Sequence, residues 1–260
     1  MTDPDSFVPQ DSKAQAENEG GCDVGRRRLL AMAGGVAVLA LAPGVMVWAR
    51  TFRAQGAVDA DPVRYGLLID ANHCQGGCDA CVRACKQYNG LSGKTGPDNA
   101  QWIRKVTIQD PKTGFTRNFP VMCQHCAKPA CVAVCPTGAS FRRADGIVLV
   151  DKHRCIGCRY CLMACPYQAR SFVAHKVDDQ KPWAPRGKGT AEGCTLCVER
   201  VDRGKPPACV AACARRGHKA MLFGNLHDPQ SAIAKRLAQY ASTTIRADLG
   251  MEPGVHYRGI

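Results

Sequence analysis

Residues 154–166 read Arg-Cys-Ile-Gly-Cys-Arg-Tyr-Cys-Leu-Met-Ala-Cys-Pro. Cys155, Cys158, Cys161 and Cys165 follow C-x2-C-x2-C-x3-C, and Pro166 follows the last of them. This is the spacing that holds a [4Fe–4S] cluster. Three cysteines at intervals of three, on a short coiled loop, can aim their sulfurs at three corners of one cubane. The fourth cysteine stands three residues further on and points away, and in two-cluster proteins it ligates the other cluster. One such run calls for a partner.

The chain supplies three partners. Sixteen of its 17 cysteines fall into four tight quartets. The first is Cys74, Cys78, Cys81 and Cys85, and the second is Cys123, Cys126, Cys131 and Cys135. The third is the run already quoted, and the fourth is Cys194, Cys197, Cys209 and Cys213. Cys22 alone stands outside. Disulfide scaffolds are short and seldom group cysteines in fours. Paired C-x2-C motifs also build zinc sites, but zinc does not need a third cysteine at the next x2 followed by C-P. The fourth quartet, with its eleven-residue gap before Cys209, fits zinc when taken alone, and its company makes iron–sulfur the better reading. All sixteen cysteines are therefore candidate ligands of four [4Fe–4S] clusters.

Two gaps depart from the simplest pattern. The first quartet opens with x3 and has Gly76 and Gly77 inside, so glycine backbone freedom can absorb the extra residue. The second has an x4 gap containing Lys128-Pro129-Ala130. Its ending C-P-T-G-A-S-F (135–141) echoes C-P-Y-Q-A-R-S-F (165–172), an internal repeat. Residues 123–172 are thus expected to form one tandem two-cluster module, and 74–85 with 194–213 an outer cluster pair.

The 260-residue chain carries a formal charge of +13, which invites an anionic partner such as nucleic acid. Residues 50–260 hold 31 basic and 16 acidic residues, or +15. Four oxidised clusters with their thiolates contribute about −2 each, leaving about +7. Much of the basic excess therefore offsets cluster charge, and no nucleic-acid partner is expected.

Residues 1–25 are polar and acidic and read as disordered. Arg26-Arg27, one further residue and then Leu29-Leu30 open an apolar stretch to Trp48. This resembles a twin-arginine export signal, with a cleavage site after Ala49. The stretch is long enough to cross a bilayer, so retention as an anchor is the alternative. Residues 50–63 read as a linker. The main domain is then 64–226, followed by a helix and tail over 227–260. Arg64–Asp70 reads as a strand and 86–101 as loop. A β-hairpin is expected from Trp102 to Val121 around the turn at 110–114. Asp145–Asp151 reads as turn and strand, and 177–193 as a solvated loop. Asp228-Pro229 reads as N-cap and N1 of a helix with Ile233, Leu237 and Tyr240 on one face. Residues 250–260 show no regular pattern. The fold class is α+β: tandem two-cluster units with an inserted hairpin, loops and a C-terminal helix.

Outside the thiolates the chain lacks the motifs of chemistry. There is no phosphate loop, nucleophile elbow or H-E-x-x-H, so no catalytic residue and no small-molecule substrate site are expected. His125, His73 and His153 lie beside cysteines and could hydrogen-bond a cluster sulfur. Arg154 and Arg159 would favour a reduced cluster. Several one-electron centres without a substrate site make an electron conduit.

Taken in order, the quartets resemble the four-cluster ferredoxin-like electron-transfer subunits of membrane oxidoreductases, over about residues 62–226. That family includes the β subunits of dimethyl sulfoxide, tetrathionate and polysulfide reductases. Residues 146–173, 186–194 and P-G-V-H-Y-R-G-I (253–260) resemble more closely the DsrO family, the exported iron–sulfur subunits of DsrMKJOP complexes. The resemblance implies shared clusters. Cys123, Cys126 and Cys131 pair with Cys165, and Cys155, Cys158 and Cys161 with Cys135. Cys74, Cys78 and Cys81 pair with Cys213, and Cys194, Cys197 and Cys209 with Cys85. It further implies a hetero-oligomeric membrane complex with an integral quinone-interacting subunit and a periplasmic multihaem cytochrome c. The same resemblance implies a role in sulfur metabolism. A molybdopterin reductase β subunit, a zinc-rich nucleic-acid protein and an autonomous ferredoxin are the competing readings.

Overall fold

The computed structural model describes residues 38–42, 45–48, 63–91 and 99–260, in two units, 1–58 and 59–260. In the first unit β1 (Val38–Ala42) and β2 (Val45–Trp48) pair antiparallel. The apolar stretch read as an export signal is thus strand over these residues. The twin arginines and the cleavage site lie outside the described residues. No helix among the described residues is long and apolar enough to cross a membrane.

The second unit is built round β3 (Tyr65–Asp70). Its Leu67, Leu68 and Ile69 are all buried, the run expected of a strand covered on both faces. A 3-10 turn (Ala71–His73) leads to α1 (Ala80–Asn89). Next comes the hairpin of β4 (Ile103–Gln109) and β5 (Thr116–Met122), in register from Ile103↔Met122 to Gln109↔Thr116. Trp102, Ile103, Phe119, Val121 and Met122 bury its inner end. The chain continues with α2 (Ala130–Ala133), β6 (Ser140–Arg142), β7 (Val148–Val150), α3 (Tyr160–Met163), β8 (Arg170–Phe172) and β9 (Ala191–Gly193). It ends with α4 (Val198–Val201), α5 (Ala208–Arg215), β10 (Met221–Asn225), α6 (Ala232–Gln239) and β11 (Val255–Arg258). β10 pairs antiparallel and β11 parallel with β3. β6 pairs with β7, and β8 with β9. Helices α1 and α5 pack together.

The sequence echo is repeated in the backbone. Three residues after Cys135 and Cys165, Gly138 and Gln168 are both left-handed, at φ 62° and 49°. Five residues after each cysteine, β6 and β8 begin.

Four expectations need correction. The loop read over 86–101 begins late, because α1 runs through Asn89 and is closed by left-handed Gly90, a usual helix stop. The loop over 177–193 is solvated at Asp178, Gln180, Pro182, Pro185 and Lys188 but is also anchored. Trp183 donates to the Tyr88 carbonyl at 3.1 Å, and β9 carries the fully buried Glu192. Helix α6 is capped by Ser231, whose hydroxyl accepts from the Ala234 N–H, while Asp228 instead accepts from the Gln230 N–H in the turn before it. The tail is strand β11, with Val255 and Tyr257 buried between half-buried His256 and Arg258. Two alternations are too short a run to read from sequence, and the partner strand lies far upstream.

Candidate metal centres

The hairpin, short helices and cysteine loops bring the sixteen thiols into four groups. Cys74, Cys78, Cys81 and Cys213 line one interior space. Cys85, Cys194, Cys197 and Cys209 line a second, and Cys135, Cys155, Cys158 and Cys161 a third. In the fourth group, Cys126 feels Cys123, Cys131 and Cys165 electrostatically. Each group thus joins three cysteines of one quartet to the last of another. Cys213 and Cys194 line different spaces, so the fourth quartet does not close on a zinc of its own.

The groups form a line. Cys85 and Cys209 both interact with Cys81, which joins the first space to the second. Cys194 interacts with Cys123, joining the second to the fourth group. Cys131 and Cys161 share one buried cluster with Val148 and Ala191, joining that group to the third space. At the far end Cys158 is exposed among exposed Ile156, Tyr160 and Met163.

Local backbone geometry prepares the loops. The residue before the second cysteine is left-handed at His125 (φ 43°), Gly157 (φ 73°) and Leu196 (φ 55°). Only Gly157 reaches this region without cost; the other two are held there by the surrounding fold, at about 1–2 kcal/mol each. In the x3 loop neither Gly76 nor Gly77 is left-handed. The extra residue is accommodated differently: the Lys105 ammonium donates to the carbonyls of Gln75, Gly76 and Cys78. The hairpin, expected only as cover, therefore clamps the first cysteine loop.

The donors fit an iron–sulfur cluster. Thiolate sulfurs accept N–H groups, and here backbone N–H groups of Ser140, Ala191, Leu196 and Ala208 point at Cys135, Cys155, Cys194 and Cys197 at 3.3–3.5 Å. The Asn89 amide reaches the Cys85 sulfur at 3.4 Å. Among the described residues no three His, Cys, Asp or Glu side chains converge to hold a single metal ion. Zinc draws its sulfurs to about 3.8 Å of one another, from bonds of about 2.3 Å, whereas a cubane keeps each sulfur at its own corner. Burial pushes the Cys85, Cys194 and Cys209 thiols far up, and neighbouring thiols add to it. It drives Cys81 and Cys123 to about 11 and Cys126 to about 12. Thiolates in such places need positive charge among them, which the iron of a cluster provides.

The histidines separate. His73 sits on the surface with Nδ1 3.1 Å from Asp70, and His153 is exposed. His125 is buried, and its Nδ1 accepts the Val148 N–H at 3.0 Å. Burial, with Arg170 adding, pushes its imidazole down to about 3. The neutral ring keeps its proton on Nε2, a buried atom with no partner among the described residues. Arg154 and Arg159 stay at the surface, one donating to the Thr137 carbonyl and the other over the Phe172 ring. The basic residue that does enter the centres is Arg170, which is 8% exposed and donates to the Cys131 sulfur at 3.4 Å. The signal for it lay in the repeat: Arg170 stands where the other half has buried Ser140.

Residues 115–225 match the model of the 4Fe-4S dicluster domain. The chain is 42% identical over 192 residues to the Hdr-like menaquinol oxidoreductase iron-sulfur subunit 1 of Archaeoglobus fulgidus, covering 68% of this chain and 71% of that protein. It is 38% identical to a sulfite dehydrogenase subunit of Allochromatium vinosum, over 74% of this chain and 81% of that one. It is also 38% identical to Protein NrfC of Escherichia coli, over 85% and 91%. Part of the chain is a ferredoxin-like dicluster domain, and the whole belongs to the NrfC–DsrO family of [4Fe–4S] electron-transfer subunits of oxidoreductase complexes.

Proposed function

We propose that the protein relays electrons through four [4Fe–4S] clusters between a periplasmic multihaem cytochrome c and a quinone-interacting membrane subunit, after twin-arginine export. The linear order of the four cysteine groups, ending at exposed Cys158, carries this reading. The clusters supply one-electron acceptance and release. The chain's residues hold them in line and set their surroundings. Cys74, Cys78, Cys81 and Cys213 hold one cluster, and Cys85, Cys194, Cys197 and Cys209 the next. Cys123, Cys126, Cys131 and Cys165 hold the third, and Cys135, Cys155, Cys158 and Cys161 the last. At that last cluster exposed Ile156, Tyr160 and Met163 form an apolar collar, where a partner's redox centre can approach. The menaquinol oxidoreductase relative supports a quinol-linked complex. The resemblance to the DsrO family supports a role in dissimilatory sulfur metabolism.

The second reading is the β subunit of a molybdopterin oxidoreductase, favoured by the sulfite dehydrogenase relative. Anaerobic purification of the tagged protein from its own membranes separates the two. Co-purifying c-type haem without molybdenum supports the first reading. Molybdenum with a large pterin-bearing partner overturns it in favour of the second.

A further inference from the structure

Arg170 is a buried cation among the described residues with no carboxylate within ion-pair distance. A buried charge needs a counter-charge, and the groups facing this guanidinium are sulfurs. Its Nη2 donates to the Cys131 sulfur at 3.4 Å. Its charge is felt at Cys123 and Cys131 on one side and at Cys161 on the other. Those cysteines belong to two different groups, and Cys131 and Cys161 meet in one apolar cluster with Val148 and Ala191. The strand β8 places Arg170 between the groups, where the equivalent Ser140 of the other half reaches neither with a charge. Two other cations lie near these groups: Lys152 is held by the Ala191 carbonyl beside Cys155, and Arg64, which donates to the Glu252 carbonyl, interacts with Cys126 alone among the thiols; neutral His125 lies beside Cys123 and Cys126.

We propose that Arg170 is the shared counter-cation of the Cys123/Cys126/Cys131/Cys165 and Cys135/Cys155/Cys158/Cys161 clusters, raising both reduction potentials together. This rests on the four-cluster reading above. Each electron accepted makes a cluster more negative, so a cation fixed between two clusters stabilises the reduced form of both. Because Arg170 is itself buried, bulk salt screens its charge less than it would a surface cation's. The outer two groups lie beyond its contacts and are not expected to respond.

The test is an EPR-monitored redox titration of the intact protein and of Arg170→Gln and Arg170→Lys, with signals assigned from Cys126→Ala and Cys158→Ala. In Arg170→Gln the reduction equilibrium of the two assigned clusters is expected to fall at least tenfold, which is about 59 mV for one electron. The outer two clusters should keep their potentials, and Arg170→Lys should recover most of the loss at both sites. Should Arg170→Gln fail to load, selective loss of these two clusters, restored in Arg170→Lys, supports the same conclusion. No shift in Arg170→Gln, or an equal shift at all four clusters, overturns it. Native protein without four clusters would instead refute the reading on which the proposal rests, a distinguishable outcome.

Discussion

Glu192 is fully buried, and its carboxylate accepts two hydrogen bonds from Arg186, at 2.8 and 3.1 Å. Arg186 is itself only 10% exposed and also donates to the Gly90 carbonyl at 2.7 Å. The pair therefore ties the end of α1 to β9, whose Ala191 N–H points at the Cys155 sulfur. Glu192→Gln keeps the shape and removes the charge. Breaking one partner of a buried pair costs about 3–5 kcal/mol, and Asp179, 3.5 Å from Arg186, holds the loss to the lower end. With a urea dependence of about 3 kcal/mol per molar, about 3 kcal/mol moves the midpoint down by roughly 1 M. The comparison is Asp202→Asn, which removes the charge of an exposed partner of Arg143, 49% accessible. Such surface pairs contribute about 0–1 kcal/mol. The assay is anaerobic urea unfolding of the holoprotein, followed by tryptophan fluorescence and cluster absorbance together. Arg186→Met with Glu192→Leu should recover much of the loss, because apolar residues need no counter-charge. A midpoint for Glu192→Gln no lower than that of Asp202→Asn would refute the argument.

Lys105→Met removes the donor to three carbonyls of the first cysteine loop, at a cost of about 1.5–3 kcal/mol; iron analysis should show loss of the Cys74-group cluster with the other three retained. Gly157→Ala puts a Cβ 2.3 Å from the Gly189 carbonyl oxygen at φ 73°, adding at least about 1–2 kcal/mol of backbone strain, and EPR should show selective damage to the Cys158-group signal. Burial pushes the Asp70 carboxyl up, but the Asn72 N–H and amide and His73 outweigh it and hold it below the usual range. Its stabilisation is therefore complete above the unfolded value of about 3.9 and lost as pH falls through the folded value. Asp70→Asn should lower the melting temperature at pH 7 and flatten its acid decline below about pH 4, and an unchanged decline would contradict this.

The cysteine framework was legible because cluster chemistry demands a local spacing that few other structures need. Strand β3 and the β4–β5 hairpin were legible for the same reason: apolar runs and turn residues are local. What escaped was long-range. Strand β11 gains its hydrogen bonds from β3 nearly two hundred residues away, and four residues of its own carry little pattern. The Asp228-Pro229 pair reads as a helix start because both residues suit one, yet Ser231 wins the cap, its hydroxyl serving both the Ala234 N–H and the Asn225 carbonyl. Glycine freedom was expected to absorb the extra residue of the first quartet, whereas a lysine from the hairpin holds that loop by its carbonyls. Arg170 was hidden in plain view, since a repeat draws attention to what matches and this residue is where the halves differ.

The most direct test of the shared-cluster arrangement compares EPR spectra of reduced Cys165→Ala, Cys126→Ala and Cys158→Ala proteins. Cys165→Ala should alter the same cluster signal as Cys126→Ala and leave intact the one that Cys158→Ala removes. If Cys165→Ala instead removes the Cys158 signal, each quartet holds its own cluster and the account fails.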